Sequence, residues 1–310
     1  MRAVRLLLKT IIGVGIVVLP IGLILTAMPG LSLLAVPNLK STSPYCTVWQ
    51  GVRETKVKLR QAELAAEIAK GTRLVKTEGQ FKLWSTPRGE FWVAGTSDEI
   101  LPLLIAQQER HIYGDARSGG VKPGDVVLDC GAHVGTFAKA ALRDGAKLVV
   151  AIEPAPAAVE CLRRNLKAEI AAGKVILVPE GIWDVEDSLA LFDNGNGNAG
   201  DSFLNQGKGA KALKGIRVRP IDQMVAELKL ERVDLIKADV KGATEKGITG
   251  ATATIQRWKP RLVFSTEEPP EDPGSITRLV QKLNPGYKLR PGPCVYDGNE
   301  IRSEVVSYEQ

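Results

Sequence analysis

Val126–Phe137, reading VVLDCGAHVGTF, constrains the fold of this 310-residue chain more than any other stretch. An apolar, β-branched run, Val126 to Leu128, leads into Asp129, a turn bounded by Gly131 and Gly135, and a helix start. That is the pattern of a buried parallel strand feeding a ligand-facing loop. The two glycines let backbone pass close to a ligand without Cβ interference. A second apolar strand, Leu148–Ile152, ends at Glu153 about one strand–helix–strand unit later, so both acids are expected at the carboxyl edge of one α/β sheet. A ribose diol is the natural partner for Glu153.

Glycine spacing separates two cofactor classes. A dinucleotide fingerprint needs G-x-G-x-x-G to seat a pyrophosphate on the helix N-terminus. Here Gly131 is followed by Ala132, His133 and Val134 before Gly135, so the middle glycine is missing. The Asp-x-Gly-x-x-x-Gly form, opened by Asp129, suits a cofactor with a cationic amino acid end, and S-adenosyl-L-methionine is such a molecule.

From about Glu109 to Tyr308 the chain resembles the FkbM-type family of class I S-adenosylmethionine-dependent methyltransferases. The likeness is carried in order by GDVVLDCGAHVGTF, AIEPAPAAVECLRRNL with Glu153 and Asn165, VPEGIWD at Val178–Asp184, VDLIKADVKGA at Val233–Ala243, and KPRLVFSTEE at Lys259–Glu268. The resemblance implies a Rossmann-like α/β fold with a seven-stranded, mostly parallel sheet flanked by helices. It also implies methyl transfer, usually to a hydroxyl oxygen of sugars, glycans or polyketide-like molecules. By the same analogy Gly131, His133 and Gly135 join Asp129 and Glu153 around the cofactor. Glu180 to Asp184 then fall where this fold positions adenine, with Ile182 or Trp183 packing on the ring and Asp184 accepting from its exocyclic amine.

One segment departs from the family. Where the family reads Asp-x-Glu-Gly-Ala-Glu, this chain has Asp239-Val240-Lys241-Gly242-Ala243-Thr244, so both glutamates are absent. At an effective dielectric near 20, a unit charge about 4 Å away is worth on the order of 4 kcal/mol, so Lys241 can change the substrate class or abolish turnover. Methyl transfer to oxygen requires alignment, water exclusion and removal of a proton. Asp239 is the candidate base, ahead of Lys241 and Glu267. His133 and His111, the two histidines, read as structural.

Composition frames the rest. With 44% hydrophobic residues the chain can bury a full core, and no internal repeat is apparent. A charge of +6 is mildly basic, but Lys and Arg are scattered without an aromatic-interleaved basic motif, which argues against nucleic-acid binding. Ile11–Leu25 is apolar throughout, and no charge follows Lys9 until beyond Pro37. This predicts an N-terminal transmembrane anchor or re-entrant hairpin over residues 1–37 and a lipid-bilayer partner. The absence of a clear small-x-small cleavage site argues against a signal peptide. Flanking charges are nearly balanced, and because S-adenosylmethionine is cytosolic the catalytic domain is expected on the cytoplasmic side.

Residues 38–108 are expected to form a stalk helix over Val52–Lys70, a hairpin around Pro87-Arg88-Gly89, and a helix opened by the capping box Thr96-Ser97-Asp98-Glu99. Residues 109–310 are the expected methyltransferase-like domain, with a lid over Asn194–Gly215 and closing antiparallel strands near Tyr296 and Val305-Val306. The acids Glu267, Glu268, Glu271 and Asp272 read as a solvated loop, and no metal site is expected. Cys46, Cys130, Cys161 and Cys294 are dispersed and compatible with a reducing compartment, although Cys46 and Cys294 become plausible partners in an exported domain. Two functions stand: a membrane-anchored O-methyltransferase acting on a hydroxyl-bearing small molecule or glycan, and an altered or inactive methyltransferase-fold subunit of a membrane complex.

Overall fold

The computed structural model describes residues 40–41, 43–95, 99–193, 201–203, 211–266, 271–297 and 300–310. The chain opens with β1 (Lys40–Ser41), α1 (Val48–Lys70), the strands β2 (Arg73–Glu78), β3 (Phe81–Thr86) and β4 (Gly89–Ala94), and α2 (Leu101–Glu109). Alternating elements follow: β5 (Val126–Cys130), α3 (Thr136–Arg143), β6 (Leu148–Ile152), α4 (Pro156–Asn165), α5 (Lys167–Ala171) and β7 (Val175–Val178). Next come β8 (Gly181–Ile182), β9 (Asp187–Asp193), β10 (Lys211–Arg219), α6 (Ile221–Glu227), β11 (Leu235–Ala238), α7 (Thr244–Thr249), α8 (Thr252–Trp258) and β12 (Arg261–Ser265). The chain closes with α9 (Pro273–Leu283), β13 (Lys288–Pro291), β14 (Cys294–Asp297), β15 (Glu300–Ser303) and β16 (Val305–Glu309).

The central sheet has seven strands in the order β13-β16-β12-β11-β5-β6-β7. β16 runs antiparallel to both β12 and β13, and the other pairs are parallel. Its middle strands are short apolar runs buried from end to end, as a sheet covered on both faces requires. Side chains alternate between two cores: Leu128, Ile236 and Phe264 face one, and Val127, Leu235 and Val263 face the other. After β7 the chain returns to the far side of β5 to lay down β11. The strand order therefore reverses between β5 and β11, the position where such sheets open a crevice at their carboxyl edge.

The accessory region holds the expected helix and the hairpin turning at Pro87-Arg88, β3–β4, and adds to both. α1 starts at Val48, where Thr47 and Gln50 form a reciprocal capping box, and it packs along the C-terminal strands. A side chain at Gly51 would strike Ile301, so helix and strand meet backbone to side chain there. A positive-φ turn at Gly79 adds β2 to the β3–β4 pair, making a three-stranded sheet. Asn165 clamps this sheet to the glycine loop by accepting from the Trp92 N–H (2.6 Å) and donating to the Trp92 and Val134 carbonyls (both 2.9 Å).

Two expectations are corrected here. Cys46 and Cys294 are joined by a disulfide that ties the start of the described chain to β14, with Ile301 and Tyr296 packed on it. Such a cross-link persists in oxidising surroundings, so the reading of four dispersed thiols in a reducing compartment does not hold. Cys130 and Cys161 are free and buried, and burial pushes both thiols up to about 12. The membrane-anchored, cytoplasm-facing placement is also withdrawn: among the described residues no helix is long and apolar enough to cross a membrane. Residues 1–37, on which the anchor rested, lie outside the described residues, as do Thr96 to Asp98, Glu267, Glu268 and most of the expected lid.

Candidate active site

Asp129 and Glu153 both end strands at the carboxyl edge, yet they meet different surroundings. In the β5–β11 register Asp129 lies opposite Lys237. The Lys237 ammonium donates to Asp129 Oδ1 (2.9 Å) and to the Gly131 carbonyl (2.9 Å), beneath the rings of Tyr113 and Phe137. Both side chains are fully enclosed, at 0% and 3% exposure. Burial works against the Lys237 charge, but Asp129 and Asp239 hold it above the ordinary lysine value. Burial also raises the Asp129 carboxyl, with Lys237 pulling the other way. Lys237 thus takes Asp129 Oδ1 and ties it to the loop, while Asp129 Oδ2 is buried and makes no hydrogen bond.

Glu153 is buried at the edge of an adjoining cleft. Its carboxylate accepts the His133 N–H (2.7 Å) and the Ala155 N–H (2.9 Å), and so shapes the glycine loop. Burial pushes the Glu153 carboxyl up to about 7 against the pull of those two bonds, and Asp201 adds to the rise. Gly131 has φ +76, and a Cβ there would lie 2.1 Å from the Asp239 carbonyl oxygen. Only glycine lets the loop sit this close to the end of β11. The cleft between them is lined by Gly131, His133, Glu153, Asp201, Phe203, Asp239 and Lys241 among others. Segment 201–203 crosses it: Ser202 exchanges two backbone hydrogen bonds with Phe192, and its hydroxyl donates to the Lys241 carbonyl (2.8 Å). Gly135, at φ +87, caps α3 against Leu166 and stands back from the cleft.

The three residues expected around adenine are placed elsewhere. Ile182 is a core side chain packed on Gly247, where a Cβ would clash with it. Trp183 stands edge-on to Phe203 at 5.9 Å, so that Phe203, and not Trp183, lines the cleft. Asp184 is ion-paired with Lys246 (2.6 Å) and faces a different surface cleft. Glu180 is held by Arg217 (3.0 Å) and Arg219 (2.5 Å). The physical reason is the small sheet in which β8 pairs with β10, which draws this segment into the core and onto basic partners.

Asp239 is exposed at the cleft, and the buried Tyr113 hydroxyl donates to its Oδ2 (2.7 Å). Sequence reasoning missed Tyr113, Lys237 and Asp201. A lysine inside the apolar strand LIKA was the available sign for Lys237, because a buried ammonium demands an acid. It also missed Glu271, which is no solvated loop acid: it accepts the Gly242 N–H (2.7 Å), and burial pushes it up to about 7. No cluster of metal-ligating residues occurs among the described residues.

A family model for the methyltransferase FkbM domain matches residues 129–289, which begin at the buried acid of β5 and span both crevice walls. The chain belongs to the FkbM methyltransferase family. S-adenosylmethionine-dependent methyl transfer is the chemistry of that family. Among solved structures, this FkbM-family chain is similar to methyltransferase FkbM from Methylobacillus flagellatus KT at 15% identity and a TM-score of 0.47, covering 84% of this chain and 61% of that one. It thus spans less than two thirds of that protein. It is also similar to the magnesium protoporphyrin IX methyltransferase of Synechocystis PCC 6803 with bound SAM, at 14% identity and a TM-score of 0.36 over 69% of this chain and 77% of that one. The TYW2 protein of M. jannaschii in complex with AdoMet gives 15%, 0.39, 77% and 90% for the same quantities. No curated protein matches the chain.

The donor set of the cleft fits the family's cofactor. Glu153, Asp201 and Asp239 bring three carboxyls to one opening, and a sulfonium nucleoside offers two cationic centres and a ribose diol. Each Glu153 oxygen accepts one backbone N–H and, having two lone pairs, keeps capacity for a hydroxyl.

Proposed function

We propose that this FkbM-family protein O-methylates a hydroxyl-bearing small molecule or glycan, with Glu153, Asp239 and the Gly131–Gly135 loop as its working parts. The observation that carries the reading is the Tyr113–Asp239 pair standing at the cleft that Glu153 enters. S-adenosylmethionine, when bound, supplies an electrophilic methyl group on sulfur. Glu153 would hold the ribose hydroxyls, and Gly131 and His133 would supply backbone against the amino acid end. Lys237 neutralises Asp129 beneath the loop, so that the loop stays in place without a net buried charge. Tyr113 occupies one oxygen of Asp239 and orients the carboxylate. The other oxygen would receive the acceptor hydroxyl and take its proton as the new carbon–oxygen bond forms and the sulfur–carbon bond breaks. Phe203 and segment 201–203 would exclude water.

Lys241 favours a second reading. It lines the same cleft and brings a positive charge beside the place proposed for a sulfonium, as in a cofactor-binding subunit without turnover. Calorimetry with S-adenosylmethionine on the full chain, followed by transfer of labelled methyl groups to sugar and small-molecule extracts, separates the two. Binding lost at least tenfold in Glu153→Ala together with labelled hydroxyl products supports the enzyme, and binding without label supports the second reading. An absence of binding, unchanged by Glu153→Ala, overturns both.

A further inference from the structure

Where the accessory region meets α3, a cleft of about 580 Å³ opens that shares no lining residue with the one Glu153 borders. Its volume falls in the range of roughly 300–1,000 Å³ typical of small-molecule sites. One wall is α3, on which Thr136, Lys139, Ala140 and Arg143 recur at i, i+3, i+4 and i+7 and so share a helix face. Phe91 of β4, Ile105 of α2 and Leu142 supply apolar surface, and Glu169 of α5 and Lys174 stand opposite.

The charges around this cleft are unequally matched. Arg88 is taken up by Glu109 (3.1 Å from its second nitrogen), with Glu67 at 3.9 Å. Arg143 rests on Asp144 (3.2 Å), which His111 also meets at 3.1 Å. Lys139 has no such partner: its ammonium donates to the Glu90 carbonyl (3.2 Å), stands 4.3 Å from the centre of the Phe91 ring, and makes no ion pair among the described residues. It is half-buried, and burial pulls its amine below the ordinary lysine value, against Glu169 and Glu90, which pull upward from farther away. An ammonium has three N–H donors, so most of its capacity faces the cleft unused beside an apolar surface. A carboxylate is the group that such a donor holds best. Glu90 and Lys174 are exposed and screened by solvent, whereas Glu169 is half-buried in the wall and keeps its repulsion for a second negative charge.

We infer that this cleft is a second ligand site, unconnected with the methyl-transfer reading, and that it takes a small monocarboxylate with an apolar body, its carboxylate on Lys139 and its body against Phe91, Ile105 and Leu142. Lys139 supplies the affinity for the head group. Glu169 sets the limit of one negative charge.

The test is saturation-transfer NMR on the full chain with benzoate and cyclohexanecarboxylate as monoanionic probes, benzamide as the neutral analogue of the first, and isophthalate as the dianion. Two variants accompany it: Lys139→Met, which keeps an unbranched side chain on α3 and removes the charge, and Glu169→Gln, which removes the opposing acid. Both monocarboxylates are expected to bind the native protein at least tenfold more tightly than benzamide, and to weaken at least tenfold in Lys139→Met. Isophthalate is expected to bind more weakly than benzoate to the native protein and to gain at least threefold in Glu169→Gln. Thermal unfolding checks that both variants fold, and calorimetric affinity for S-adenosylmethionine should stay within twofold because the two clefts share no wall. Equal binding of benzoate and benzamide, benzoate binding unchanged in Lys139→Met, or no carboxylate binding at millimolar concentration overturns the inference. Isophthalate binding that is as tight as benzoate binding and indifferent to Glu169→Gln overturns the limit of one charge.

Discussion

Asp129 and Glu153 look alike in the sequence, each an acid closing an apolar strand, and the folded chain gives them opposite tasks. Asp129 is sealed under the loop on Lys237, whereas Glu153 borders a cleft and is held by two backbone N–H groups. The difference comes from neighbouring strands. β5 has β11 beside it in a register that brings Lys237 opposite Asp129, while β6 has β7, whose residues Val175–Val178 offer no cation. An acid at a strand end becomes a structural ion or a ligand-facing group according to what the next strand places across from it. Asp184 adds a third outcome, an acid spent on a surface lysine.

The largest expected effect comes from breaking the buried pair. Lys237→Met leaves Asp129 enclosed without its partner, which should cost about 3–5 kcal/mol in urea unfolding. The double variant Asp129→Leu/Lys237→Met removes both charges and should recover most of that loss, because an apolar pair of similar volume is often nearly neutral. A double variant as unstable as the single one would show that Asp129 does more than balance a charge.

Glu153 should reveal itself through pH. Burial lifts its carboxyl from the ordinary range to about 7, so the folded protein keeps a proton that the unfolded chain gives up near pH 4.3. The folded state binds more protons between those values. This stabilisation is fully present below pH 4.3 and is lost as pH rises through 7, a swing of about 4 kcal/mol. Glu271, also pushed to about 7 by burial, contributes in the same direction. Unfolding free energies at pH 5 and pH 8 should therefore differ in the native protein, and Glu153→Gln should flatten the difference to the part owed to Glu271. A pH-independent stability would mean that Glu153 is ionised in the fold throughout.

The sheet and its ligand edge were legible because both are local: β5, β6, β11 and β12 are short apolar runs, and the glycine loop follows its strand directly. What stayed hidden depends on contacts between distant parts of the chain. Lys237 meets Asp129 across 108 residues, and Cys46 meets Cys294 across 248. Neither leaves a spacing pattern. Glu271 was hidden for a related reason, since in a run of acids nothing marks the one that turns inward to the Gly242 N–H. That Ile182, Trp183 and Asp184 do not line the cleft with Glu153 was hidden too, because positional analogy knows nothing of the β8–β10 pairing that holds this segment.

Asp184 gives the smallest effect and the sharpest check on that last point. It pairs with Lys246 at 2.6 Å, but the lysine side chain is 48% exposed, and surface pairs of this kind contribute about 0.2–1 kcal/mol. Asp184→Ala should therefore shift the unfolding midpoint only slightly. It should also leave calorimetric affinity for adenosine and for S-adenosylmethionine unchanged, because Asp184 opens on a cleft with Glu245 and Leu279 and not on the one with Glu153. If Asp184 accepted from the adenine amine, removing it would cost about 1–3 kcal/mol of binding, a loss of roughly five- to hundredfold that calorimetry would resolve. Such a loss would require the segment after β7 to leave Lys246 and swing toward Phe203 when ligand binds. The division between structural and ligand-facing acids would then belong to the unliganded state alone.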